Sequence, residues 1–188
     1  MNRTTTDLGA NKWLVDDEPF RLRNWASADK HHLLPEDRSR ELSIGRHPEC
    51  DIRLDDERVS KHHALLFFRG EQWWLRDVGK KNGIIADGVP CAEVALEPGL
   101  LIELGGVMWI VESPRLADLR SYVSRLIGYG KDKLAEVDRA MRSVRRAAMG
   151  QDPLVLMGQG DLPEIARSLH RRVLGDARPF IVCNKSRS

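Results

Sequence analysis

The sequence predicts an all-β sandwich or barrel over residues 20–112, followed by a small α/β segment, and three observations carry that division. Apolar and polar residues alternate in short runs as far as Glu112, and turn pairs separate those runs. Beyond Ser113 the apolar spacing changes to that of helices.

Residues 1–19 are polar and irregular, and a flexible N-terminal arm is expected there. Alternation then runs through Leu42-Ser43-Ile44, Asp51-Ile52-Arg53-Leu54, Gln72 to Val78, and Val107 to Val111. Arg69-Gly70, Asp87-Gly88, Pro98-Gly99 and Gly105-Gly106 supply the turns between strands. Many short strands without a helical period among them point to antiparallel pairing. Trp73 and Trp74 alternate, so one faces the core and the other faces outward.

Residues 113–150 read as a two-helix linker. Leu116, Leu119, Val123 and Leu126 define one helical face, and Leu134, Val137, Met141 and Val144 a second after Gly128-Tyr129-Gly130. In 151–188 a β-α-β unit is expected: a strand at Leu154-Val155-Leu156-Met157, a helix from about Pro163 to Val173, and a strand at Phe180-Ile181-Val182-Cys183.

The 188 residues are 41% hydrophobic and 31% charged, the composition of an ordinary globular protein. No apolar run is long enough to span a bilayer, and the N-terminus lacks the apolar stretch of a secretory signal. Cys50, Cys91 and Cys183 show no Cys-x-x-Cys spacing, so neither a disulfide framework nor a metal site is expected, and a reducing cytoplasm is the default location. Net charge is +2, but residues 1–112 carry 15 Lys+Arg against 20 Asp+Glu, a balance of −5, and residues 113–188 carry 15 against 8, or +7. The basic residues of the second half are dispersed and lack interleaved aromatic residues, which argues against nucleic-acid binding.

Three segments at strand ends gather the chemistry: Gly45-Arg46, then Ser60-Lys61-His62-His63, then Asp77-Val78-Gly79-Lys80-Lys81-Asn82-Gly83. A phosphorylated side chain brings about two negative charges and three strong acceptor oxygens. A guanidinium grips two such oxygens at once, and a hydroxyl and an ammonium take others. Arg46, Ser60 and Lys61 are that donor set, and the Asn82 amide suits a peptide main chain.

In these motifs the sequence resembles the forkhead-associated (FHA) family, whose pattern is Gly-Arg, Ser-Arg-x-His and Asp-x-Gly-Ser-Thr-Asn-Gly. The resemblance implies an FHA-like sandwich of about eleven antiparallel strands that binds phosphothreonine peptides at its loop rim. It also implies that Arg46, Ser60 and Asn82 are the principal contacts, with Lys61 beside the phosphate, and that Gly45, His63 and Gly83 hold the loops. The family's Ser-Thr pair is Lys80-Lys81 here, so the threonine hydroxyl is missing at Lys81. The outcomes stay open: Lys81 supplies a charge-assisted contact in its place, its bulk spoils the pocket, or it points into water.

The other chemical signals are read as structural. His31-His32 and His62-His63 are neighbours on strands and point to opposite faces, so neither pair chelates a metal. No catalytic constellation stands out, and no enzyme activity or cofactor is expected. Gly158-Gln159-Gly160-Asp161-Leu162-Pro163-Glu164 sits where a phosphate-binding loop would, yet it has no Lys-Ser/Thr pair, and Asp161 and Glu164 would repel phosphates. The surrounding pattern, from Leu126-Ile127-Gly128 to Pro179-Phe180-Ile181-Val182-Cys183-Asn184, resembles a degenerate, truncated opening of the AAA+ module of bacterial enhancer-binding activators.

The expected function is therefore that of a phosphothreonine-reading adaptor in bacterial Ser/Thr kinase signalling. Its expected partners are a phosphothreonine-containing protein, a Ser/Thr kinase or the transcription machinery, and no membrane. The alternative is a transcription regulator that contacts RNA polymerase, an activator or DNA through its C-terminal segment.

Overall fold

A computed structural model describes residues 18–27, 30–79, 83–176 and 179–182. The expected N-terminal arm, apart from residues 18 and 19, lies outside them. The chain divides into two compact units, one formed by Asp17–Leu116 and the other containing Ala117–Ser188.

Eleven strands build the first unit. They are β1 (Arg21–Asn24), β2 (His31–Leu33), β3 (Leu42–Gly45), β4 (Ile52–Arg53), β5 (Ala64–Arg69), β6 (Gln72–Asp77), β7 (Ile84–Ala86), β8 (Val89–Cys91), β9 (Glu93–Ala95), β10 (Leu101–Leu104) and β11 (Val107–Glu112). One sheet has the order β2-β1-β11-β10-β7-β8 and the other β4-β3-β5-β6-β9. Period-two side chains supply the core between them: Ile44, Leu66, Leu75, Ile84, Ile102 and Leu104 are all at most 1% exposed. Trp73 is the inward tryptophan, and Trp74 lies on the outer face under the Arg69 guanidinium, 4.2 Å from its ring centroid.

Local turn chemistry sets the register. The β5–β6, β7–β8 and β10–β11 hairpins close through Gly70-Glu71, Asp87-Gly88 and Gly105-Gly106. Both central residues have positive φ in each, the type I′ geometry whose twist matches that of paired strands.

Pairing is antiparallel with one exception. β4 runs parallel to β3, with Ile44 opposite Ile52 and Gly45 opposite Arg53. The expected antiparallel sandwich thus carries one parallel pair. The cause is local: Cys50 N–H donates to the His47 carbonyl at 3.0 Å, folding the connection back, and Leu54 N–H donates to the Gly45 carbonyl at 2.9 Å. Asp51 secures the same edge by accepting from the Ser43 amide (2.8 Å) and hydroxyl (2.7 Å) and from Arg40 (2.7 Å). On β1 and β11, Glu112 accepts from Arg23 Nε and Arg21 Nε, each at 2.7 Å, and both Arg23 and Glu112 are buried.

Three helices follow: α1 (Pro114–Ile127), α2 (Leu134–Ala148) and α3 (Leu162–Leu174). Ser113 Oγ accepts the Leu116 amide at 3.2 Å, and Pro114 needs no donor at the helix start. In the second unit Val137, Met141 and Val144 of α2 and Leu169 and Val173 of α3 are buried. Buried Asp138 is paired with Arg120, and Arg172 reaches Asp118 and covers the Tyr122 ring at 4.6 Å. Asp161 caps α3 by accepting the Glu164 amide at 3.0 Å.

The flanking strands of the expected β-α-β unit are not formed among the described residues. Leu154 to Met157 and Phe180 to Val182 carry no ladder, and Val155 is 71% and Met157 88% exposed. Two short apolar runs and one helix cannot bury both faces of a parallel pair, which is found almost only in covered sheets. Phe180 instead turns back on α3, packing edge-on against His170 at 5.4 Å. Cys183 lies outside the described residues. No helix is long and apolar enough to cross a membrane among the described residues.

Candidate phosphate-binding site

The ends of β3, β5 and β7 place the three motif segments together, and main-chain hydrogen bonds hold the first two side by side. Arg46 N–H donates to the Ser60 carbonyl at 3.1 Å and His47 N–H to the Lys61 carbonyl at 3.0 Å. The approach demands glycine at 45, because a Cβ there would stand 2.2 Å from the Lys61 carbonyl oxygen.

Arg46 is exposed but oriented. Its Nε donates to the Val59 carbonyl at 3.1 Å, and Val59 is itself 1% exposed, so the core fixes the guanidinium plane. Its Nη1 and Nη2, the Ser60 hydroxyl and the Lys61 ammonium have no hydrogen-bond partner among the described residues. An aimed cation with open donors, on a turn bonded to the one that carries a hydroxyl and a second cation, has the chemistry a multiply charged oxyanion needs.

His63 organises the rest. It is fully buried, and its main chain donates to Ile44 and accepts from Val78 and Gly79 (2.8, 3.0 and 3.0 Å). Its Nδ1 accepts the Ser60 amide at 3.1 Å, and its Nε2 lies 2.9 Å from the Gly83 carbonyl oxygen. A backbone N–H can only donate, so the ring proton sits on Nε2 and is donated to Gly83. Asp77 Oδ1 takes the Gly79 amide at 2.8 Å at the start of the loop, and Gly83 at its end has a φ of 62°, which favours glycine. Gly79 lies beside Ser60: a Cβ on it would be 3.3 Å from Ser60 Oγ. Lys80, Lys81 and Asn82, and with them the expected contacts of Lys81 and Asn82, lie outside the described residues.

Sequence reasoning missed several contributors. Val59 aims Arg46 through its main-chain carbonyl, a contact that no residue type announces. Cys50 is buried beneath the second segment, with Sγ donating to the Lys61 carbonyl at 3.2 Å and lying 3.7 Å from His62 Nδ1. His47 and His62 stack with centroids 5.2 Å apart. Asp56, which accepts from Arg58 at 2.9 and 2.8 Å, has its carboxyl pulled down to about 2, first by that side-chain bond and then by the Arg58 amide. A groove of about 330 Å³ next to Gly83 is lined by Arg58, Ile85, Glu103, Gly105 and Gly106.

His31 and His32 lie on β2, whereas His62 and His63 fall in the turn before β5 and not on a strand, which corrects the expectation for that pair. His62 is exposed and His63 buried, and no metal-holding cluster occurs among the described residues. Burial pushes the His32 imidazole below its ordinary value, with His31 acting in the same direction.

Residues 42–105 match the FHA domain model. All three motif segments lie inside the matched stretch, so this part of the sandwich is similar to an FHA domain. Over 63 residues the chain is 38% identical to the glycogen accumulation regulator GarA of Mycolicibacterium smegmatis, covering 34% of this chain and 40% of GarA. It is 41% identical over 63 residues to the oxoglutarate dehydrogenase inhibitor of Corynebacterium jeikeium, covering 34% of this chain and 44% of that protein. The chain therefore spans less than half the length of these relatives. A solved structure from work on phosphothreonine-dependent FHA domain interactions is 28% identical and aligns with 49% of this chain and 93% of its own, with a TM-score of 0.44. EmbR of Mycobacterium tuberculosis, in complex with a low-affinity phosphopeptide, is 26% identical over 49% of this chain and 24% of its own, with a TM-score of 0.44.

Proposed function

We propose that this chain is a phosphothreonine-dependent interaction module, a signalling adaptor that reads marks laid down by a bacterial Ser/Thr kinase. The observation that carries this reading is the Arg46 fork, aimed by the Val59 carbonyl and left open beside Ser60 and Lys61. Arg46 takes two phosphate oxygens, Ser60 Oγ and Lys61 Nζ take the third, and Asn82 holds the peptide main chain. The match of residues 42–105 to the FHA domain supports the assignment, as do relatives named for regulation and inhibition rather than catalysis. Lys81 stands where a phosphate-binding hydroxyl is expected and supplies a charge instead, which strengthens attraction to phosphate and loosens discrimination between threonine and serine.

Fluorescence polarisation with a degenerate phosphothreonine peptide library tests the reading. Binding is expected to require the phosphate and to fall by about a hundredfold or more in Arg46→Ala, the scale for removing one partner of a close charge pair. Binding indifferent to the phosphate or to Arg46 would sink the proposal.

A further inference from the structure

The rim carries a second pair of chain-tied polar rings that the phosphate cradle does not use. His47 follows Arg46, His62 follows Lys61, and the bond from His47 N–H to the Lys61 carbonyl keeps the two turns in register. The imidazoles stack at 5.2 Å with their planes 30° apart. Their Nδ1 edges face inward on the protein: His47 Nδ1 accepts the Glu49 amide at 3.4 Å, and His62 Nδ1 lies 3.7 Å from Cys50 Sγ. The Nε2 atom of each ring has no hydrogen-bond partner among the described residues, and His62 is exposed.

We propose that His47 and His62 form a second anion-reading subsite beside Arg46 and Lys61, which selects peptides bearing a carboxylate or a second phosphate next to the phosphothreonine and holds that group on the Nε2 edges of the rings. This inference rests on the phosphopeptide reading above. Imidazole is the side chain that changes charge between about pH 5 and 8, and an anion within about 4–6 Å favours its charged form. The groups facing the pair are the Glu49 carboxylate, 3.7 Å from His47 Nδ1, the Cys50 thiol, and the cations of Arg46 and Lys61 on the same two turns. Anion binding then draws a proton onto the pair. Rings that merely prop the turns apart would be indifferent to the charge of the flanking residue.

The experiment uses the full chain and labelled phosphothreonine peptides on an alanine background. Each carries a single glutamine, aspartate or phosphoserine, scanned on either side of the phosphothreonine. The readout is the ratio of affinities, anionic flank over glutamine flank, at about pH 6.5 and about pH 8, so that the titration of the shared phosphothreonine cancels. At one flanking position the ratio is expected to reach about three- to tenfold at the lower pH, the scale of one partly exposed charge-assisted contact, and to shrink at the higher. His62→Gln and His47→Gln are expected to flatten that pH dependence. Equal gains from aspartate and phosphoserine identify a general anion subsite, and a larger gain from phosphoserine identifies a second phosphate. Arg46-dependent binding with a ratio that is flat in pH, or a pH-dependent ratio that persists in both histidine variants, overturns the subsite alone. Loss of Arg46-dependent binding to every peptide removes the phosphopeptide reading and the subsite together. A wild-type ratio that is flat in pH overturns the subsite even if a variant fails to fold.

Discussion

His63 ties the third recognition segment to the second by placing its ring Nε2 2.9 Å from the Gly83 carbonyl oxygen. The same ring takes the Ser60 amide on its other nitrogen, and the main chain of His63 accepts from Val78 and Gly79. One buried residue therefore ties the turn that offers Ser60 to both ends of the loop running to Gly83, through its ring at Gly83 and its main chain at Val78 and Gly79.

Replacing it is predicted to act on stability and recognition together. His63→Ala leaves the Ser60 amide and the Gly83 carbonyl without their partner and opens a cavity in a fully buried position. The expected cost is about 2–4 kcal/mol in urea unfolding. Phosphopeptide affinity should fall by more than the folded fraction explains, since the surviving native state has lost the brace on its loop. A variant that unfolds at the wild-type midpoint would contradict this role.

The buried ion pair makes a prediction away from the rim. Glu112 accepts from Arg23 and Arg21, and the buried Arg23 Nη2 already lacks a partner among the described residues. Glu112→Ala strands the Arg23 charge inside the protein, at a cost of about 3–5 kcal/mol. Replacing both residues with apolar side chains of similar volume should recover most of that loss. Denaturant midpoints of the single and double variants measure the difference.

What the sequence made legible follows from how local each determinant is. Hairpin turns such as Asp87-Gly88 and Gly105-Gly106 announce themselves because their positive φ demands particular residues. The alternation that buries Trp73 and exposes Trp74 to the outer face is equally local. The sense of β4 was not readable, because it depends on the fold-back at Cys50 and on Asp51 reaching Ser43 across the edge. Leu154 to Met157 misled for the opposite reason: four apolar residues have the composition of a buried strand but no ladder to join among the described residues. At the rim, the spacing of Gly45, Arg46, Ser60 and His63 picked out residues that main-chain and ring hydrogen bonds bring together. The aim of Arg46, set by a carbonyl from Val59, carries no residue-type signature at all.

Acid should weaken the first unit through two carboxylates at its β3–β4 edge and the turn beyond. Asp51 is held below its ordinary range chiefly by the Ser43 amide and hydroxyl, and Asp56 is held at about 2 chiefly by Arg58. Both are depressed in the folded state, so the stability they lend is complete above the ordinary carboxylate range. It is lost as pH falls from about 4 towards 2. Melting temperature is expected to be flat near neutral pH and to drop across that window. Asp51→Asn should lower the neutral-pH plateau and reduce the size of the acid drop, whereas an unchanged drop would show that Asp51 does not contribute to it.

Gly45 gives the sharpest test of how closely the first two segments must approach. A methyl group there collides with the Lys61 carbonyl oxygen at 2.2 Å and its carbon at 2.8 Å, both main-chain atoms that no rotamer change can move aside. Gly45→Ala must therefore push the Ser60-Lys61 turn away from β3, stretching the bonds from Arg46 and His47 to that turn. Forced overpacking of this kind costs about 1–3 kcal/mol. The larger effect should be on recognition, because displacing Ser60 and Lys61 from Arg46 separates donors that must meet on one phosphate. Gly45→Ala is thus expected to lose phosphopeptide binding under conditions where circular dichroism and thermal melting still show a folded sandwich. If it binds as tightly as the wild type, the three donors do not need the spacing seen here, and Arg46 alone would have to account for the affinity.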